Sequence, residues 1–218
     1  INLGVYDRAY QLMRYPVMLT TGAFSGAIQP ALKRMDIGTD GIVGVHNELS
    51  VKLLIISIPL SFYTYINAAE VVSLLLGEQW GEVVPLVKAF SVSLPIQIVL
   101  STSGSFFQAI NKPKLLFVTG CVGAFIFILA ISISIYFGSI VHTAVAITIS
   151  FILNSACVYY ILFRHGFMVS NKSFVISLTS ALKALFASCF LYIGVEVFLE
   201  LNNFYLYDHG FIKLIQSA

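Results

Sequence analysis

The chain has 218 residues, of which 58% are hydrophobic and only 10% charged, with a mean hydropathy of +0.92. That balance excludes a water-soluble domain of this length, because too little polar surface is left to cover a core. The net charge of +2 is too small, and the basic residues too scattered, for a nucleic-acid partner.

A helix needs about 20 mostly apolar residues to cross the hydrocarbon of a bilayer. Apolar runs of that size, separated by Gly, Pro and charge, recur at 10–32, 53–76, 83–110, 115–137, 140–163 and 174–201. They predict an all-α polytopic transmembrane bundle of about six spans, held together by helix–helix and helix–lipid packing. The segment "AAEVVSLLLGEQW" after Asn67 is expected to leave the membrane as a short interfacial helix, with Trp80 among the headgroups. The opening "INLGVYDRAY" has no initiating Met, charged n-region or cleavage site, and the closing "NNFYLYDHGFIKLIQSA" stops short of a full span, so both ends read as truncations.

Lys and Arg alternate between the connections. Lys33, Arg34 and Lys52 fall in the first, Lys112 and Lys114 in the third, and Arg164 and Lys172 in the fifth, while "GEQWGE" and "GSIVHT" carry none. The odd connections are therefore expected on the cytoplasmic side, and the first span runs from outside to inside. Cys121, Cys157 and Cys189 lie in apolar runs without metal-ligand or redox spacing and read as reduced packing residues. No metal and no cofactor is expected.

Arg8 and Arg14 stand at the outer end of the first span, against the usual bias. At about 100° per residue, Gln11, Arg14, Thr21, Ser25 and Gln29 share an arc of roughly 80°. An arginine facing lipid near mid-bilayer is penalised by roughly 2.5 kcal/mol or more, so this face should meet other helices or water. The third span repeats the pattern with Gln97, Ser101, Ser105 and Gln108 beyond a kink at Pro95, which suggests a cavity shared by two striped helices. The fourth and fifth spans carry no charge and read as a lipid-facing scaffold. Lys183 sits near the middle of the sixth run and is the best-placed buried cation. The competing reading of the small and hydroxyl residues is ordinary helix packing, and for Arg14 it is snorkelling to the nearby interface. Together, the candidate substrate-binding residues are Arg14, Lys183, Gln11, Gln29, Gln97 and Gln108. Their cations suit an anionic head such as a phosphate.

Three segments in order carry a family resemblance. "LGVYDRAYQLMRYP" followed by "IQPALKRM", then "LLLGEQWGEVVPLVK", then "SGSFFQAINKPKL" resemble the signature of polysaccharide export proteins in the multidrug/oligosaccharidyl-lipid/polysaccharide exporter superfamily. Asn111 stands where that family usually has glycine, a substitution that a turn tolerates. The resemblance covers about residues 2–172. It implies a MATE-like protein of two six-helix lobes, of which residues 1–218 would be most of the second lobe. It implies a flippase that moves undecaprenyl-diphosphate-linked oligosaccharide across the bacterial cytoplasmic membrane by alternating access, with membrane lipids and other glycan-assembly membrane proteins as partners. Arg8, Trp80 and Pro113 lie in the matching motifs and are expected to fix the fold at the membrane interfaces.

Two other readings stand beside it. A multidrug exporter of the same fold would place a carboxylate in the cavity for cationic drugs. A membrane enzyme of the same glycan pathway would gather acids, bases or metal ligands at one surface, whereas His46, His142, His165 and His209 are scattered along the chain.

Overall fold

A computed structural model of the chain describes residues 2–35 and 38–168 together with Lys183; within α1, the side chains at 2, 3, 21, 23–27, 29 and 33 are outside the description. The described residues form helices joined by short connections, without a strand. The order is α1 (Asn2–Met35), α2 (Thr39–Ile66), α3 (Ala68–Leu76), a 3₁₀ segment (Glu78–Val83), α4 (Val84–Ala109), α5 (Pro113–Tyr136), α6 (Ile140–Ile161) and a π-helical turn (Leu162–Gly166). Four helical segments, Thr39–Ile66, Glu78–Ala109, Pro113–Tyr136 and Ile140–Gly166, are long and apolar enough to cross a membrane; α1, which contains the expected first span 10–32, is helical but too polar to be among them. The run at 174–201 lies outside the described residues, apart from Lys183.

The second span differs from its expected position. α2 begins at Thr39 rather than near 53, so Lys52 belongs to a helix and pairs with Glu48 one turn away at 2.6 Å. The reason is amphipathicity: Val43, His46 and Leu53 are buried while Gly44, Glu48 and Lys52 are exposed, which supports a helix that hydropathy alone does not mark. α2 stops at Asn67, whose side chain and backbone N–H both donate to the Tyr63 carbonyl. A separate short helix, α3, then follows. Gly77, at φ +99, turns the chain out of α3; a Cβ there would lie 2.6 Å from Gln79 Oε1.

α4 is the central helix and packs against α1, α2 and α6, with α5 joined chiefly to α6. Side-chain pairs fix the directions. At one level, Tyr6 and Tyr10 meet Phe90 edge-on at 5.7 and 5.9 Å. Near it, Ser61 Oγ donates to the Ser91 carbonyl at 2.6 Å and Thr148 Oγ1 to the Ala89 carbonyl at 2.8 Å. At the other level, His46 packs on Phe106 at 4.8 Å, within a cluster of Leu32, Val43, Phe107, Leu162 and Phe163. Hence α1, α4 and α6 run in one direction and α2 in the other. α5 returns antiparallel to α6, through Phe127 on Phe151 at 4.9 Å and Ser134 on Thr143 at 3.1 Å. The α1 end bearing Lys33 and Arg34 thus shares one end of the bundle with Lys112, Lys114 and Arg164, the arrangement the charge alternation requires.

One junction explains how α4 tolerates proline. Pro95 has no N–H to donate to the carbonyl one turn back, that of Ser91, and this is the carbonyl that Ser61 of α2 satisfies. Inside a membrane no water is available for that role, so a neighbouring hydroxyl must fill it. The hydroxyls of Ser93, Ser101, Thr102 and Ser103 bond back to carbonyls of α4 itself.

α5 lies at the edge of the bundle and exposes Phe117, Phe125, Ile128 and Ile135, a surface suited to lipid. Cys121 accordingly faces outward rather than packing inside, and Cys157 is half-buried. Where α5 meets α6, Gly123 lets Asn154 approach; a Cβ on Gly123 would lie 2.8 Å from Asn154 Oδ1.

Candidate functional site

The site is built on α1. Over its first half, one side of this 34-residue helix buries Val5, Ala9, Leu12 and Met13, which recur at helical spacing and seat it on α4; near its other end Ile28 and Leu32 are buried in a second cluster. The opposite side is exposed and, over its first half, polar: Asp7, Arg8, Gln11 and Arg14. Gln11 Nε2 donates to Asp7 Oδ2 at 2.8 Å. Asp7 escaped the sequence reading, although its spacing of four residues to Gln11 was the available signal. Beyond Arg14 the same side continues with exposed Tyr15, Met18 and Leu19. Gln29 lies on the α1 backbone with its side chain outside the described residues, as are those of Thr21 and Ser25.

Arg14 sits well along α1 from the end that meets the start of α4. Tyr10 packs at the level of Phe90, and at 1.5 Å rise per residue Arg14 is then about 15 Å from the start of α4, roughly half the hydrocarbon thickness. The half-buried Trp80 lies just before that start, as expected of an interfacial anchor. Arg8 lies nearer the surface, its guanidinium 5.7 Å from the centre of the Trp80 ring. The two motifs "RAY" and "LLGEQW" therefore touch. Lys88 is placed similarly, 6.0 Å from the Tyr65 ring. Pro113 opens α5 at its first position.

The other predicted residues do not gather around Arg14. Gln97 is half-buried and donates to Ser93 Oγ at 2.8 Å, while Gln108 is exposed at the opposite end of α4. Among the described residues, Gln11 and Arg14 are exposed on the side of α1 that turns away from α4 and do not face Gln97 across a cavity. α4 occupies the middle of the described bundle and uses its hydroxyls within the helix. Lys183 is helical and exposed where a buried cation was expected. A cavity of about 400 Å³ lies between Tyr6 and the α5–α6 hairpin, lined by Ile131, Ser134, Ile135 and Thr143 among others, and it includes none of the predicted residues.

His46, in the sequence only one of four scattered histidines, is enclosed by aromatic rings. It is 2% exposed and meets Phe106, Phe163, Tyr159 and Phe167 at ring-centre distances from 4.8 to 5.8 Å. His142 and His165 are exposed.

These features define an all-helical bundle with four membrane-capable helices and, among the described residues, an exposed cation-bearing face on α1. Residues 1–85 match the model of the family described as "Polysaccharide biosynthesis protein". The chain is also 24% identical over 180 residues to the "Lipopolysaccharide biosynthesis protein WzxC" of Escherichia coli (strain K12), a match covering 80% of this chain. The chain spans 36% of the length of that relative. No solved structure matches significantly. Both likenesses support the resemblance to the polysaccharide export proteins of the multidrug/oligosaccharidyl-lipid/polysaccharide exporter superfamily.

Proposed function

We propose that the protein to which this chain contributes is a polysaccharide exporter of the bacterial cytoplasmic membrane. Without covalent chemistry, it flips a polyprenyl-diphosphate-linked oligosaccharide by alternating access. The observation that supports this reading is Arg14, an exposed guanidinium on the side of α1 opposite Ala9 and Leu12, which the proposed membrane placement puts about half-way through the bilayer. A lone arginine facing lipid at that depth is unfavourable. A passing diphosphate offers it bidentate oxygen acceptors. Gln11 beside it supplies neutral hydrogen bonding of the kind sugars need, and the apolar faces of α5 and α6 leave room for a polyprenyl tail to stay in lipid. Most of the second lobe of a two-lobe transporter is the part we assign to residues 1–218. The names of the matching family and relative agree with a role in glycan assembly.

The test is Arg14→Gln and Lys183→Gln in the full-length protein, scored for export and for membrane insertion. Reduced export with normal insertion is expected, and undiminished export in both variants overturns the assignment. A multidrug exporter of the same fold is the second reading. Asp7, an exposed carboxylate on the same side of α1 as Arg14, favours it. Drug resistance lost in Asp7→Asn, with glycan export intact, would select it.

A further inference from the structure

Lys112 enters the sequence reading only as a mark of the cytoplasmic side, yet the structure gives it a definite task. Its Nζ donates to the carbonyls of His165 at 2.7 Å and Gly166 at 2.9 Å, across more than fifty residues of chain. Those carbonyls end the π-helical turn Leu162–Gly166, where the Phe167 N–H reaches back to Leu162 O at 2.7 Å. Carbonyls at a helix end have no partner within the helix. Gly166 is buried here while His165 is exposed, so water has restricted access to the Gly166 carbonyl in particular.

The turn that presents Lys112 is itself built for the purpose. Asn111 adopts φ +57, the left-handed conformation that Asn tolerates best after Gly. The Lys112 N–H caps α4 by donating to Phe107 O at 2.9 Å, and Pro113 starts α5 immediately afterwards. Gly166 packs so closely on this turn that a Cβ there would lie 3.2 Å from Ile110 Cδ1. Because α4 and α6 run in the same direction, their negative dipole ends converge at this point, and the ammonium stands between them.

We propose that Lys112 is a positioning residue that locks the cytoplasmic ends of α4 and α6 into one joint, so that the α4–α5 turn and the end of α6 move as a single body. Its role in transport rests on the function proposed above. The joint itself does not.

The experiment uses the full-length protein in lipid, with spin labels at the exposed positions 114 and 164 and the native cysteines replaced by serine. In the parent and in Lys112→Arg, which keeps charge and donors, the label-to-label distance distribution should be narrow. In Lys112→Met it should broaden, and export should fall about tenfold or more, as expected when two charge-assisted hydrogen bonds are lost. If Lys112→Met does not accumulate in the membrane, Lys112→Gln, which keeps donors without charge, is measured in its place. An unchanged distribution in the charge-less variant overturns the joint, and a broadened distribution with undiminished export overturns its role in transport. A parent protein that moves no lipid-linked saccharide defeats the transport reading alone, since the distance measurement still decides the joint.

Discussion

Replacing Ser61 with alanine removes one hydroxyl, and the structure specifies what that hydroxyl does. The Ser91 carbonyl has lost its usual donor to Pro95 and accepts from Ser61 Oγ at 2.6 Å instead; Ser91 is 0% exposed. Leaving a buried acceptor unpaired costs about 1–3 kcal/mol, whereas hydrogen bonds between membrane helices average about 0.6 kcal/mol and reach about 1.7. Ser61→Ala should therefore destabilise the protein by about 1–2 kcal/mol, a factor of about 5–30 in the folded-to-unfolded ratio. Pro95→Ala restores an N–H that can reach the same carbonyl, so Ser61→Ala should have little effect in that background. A double-mutant cycle on the full-length protein in bicelles, unfolded by SDS and followed by circular dichroism, measures the coupling. If Ser61→Ala cost the same in the parent as in the Pro95→Ala background, the reasoning would be refuted.

Three further outcomes are expected. Gly123→Leu should separate α5 from α6, because even a Cβ meets Asn154 Oδ1 at 2.8 Å; Gly123→Leu paired with Asn154→Ala should recover part of the loss in the same unfolding assay. Lys52→Ala should leave stability and export unchanged, since its partner Glu48 and Lys52 are both exposed. Trp80→Ala should lower the amount of protein in the membrane by releasing both the interfacial ring and its contact with Arg8, whereas Trp80→Phe should retain most of it; quantitative immunoblotting of membranes decides.

Four of the spans were legible because apolar runs of the required length leave a plain mark on the sequence. The division of α2 from α3 at Asn67 was legible for a related reason, the polar break between two apolar stretches. The start of α2 was not, since its first turns are amphipathic and hydropathy averages their two sides together. Asn111 could be judged a tolerable stand-in for glycine before its φ of +57 was visible. What could not be read were features made by tertiary placement: Ser61 against the carbonyl freed by Pro95, Lys112 against the end of α6, and His46 enclosed by four rings. Each joins residues far apart in the chain, and none leaves a local pattern. The candidate site was half legible. Periodicity put Gln11 and Arg14 on one side of α1, but it could not show that this side turns away from α4, which separates them from Gln97.

The central claim, that the protein flips a lipid-linked glycan, is tested most directly by depleting the full-length protein in its native cell. Sealed vesicles of known orientation, probed with a sugar-specific reagent, show on which face polyprenyl-diphosphate-linked saccharides collect. The account predicts accumulation on the cytoplasmic face. Accumulation on the outer face, or a distribution unchanged by depletion, would contradict it.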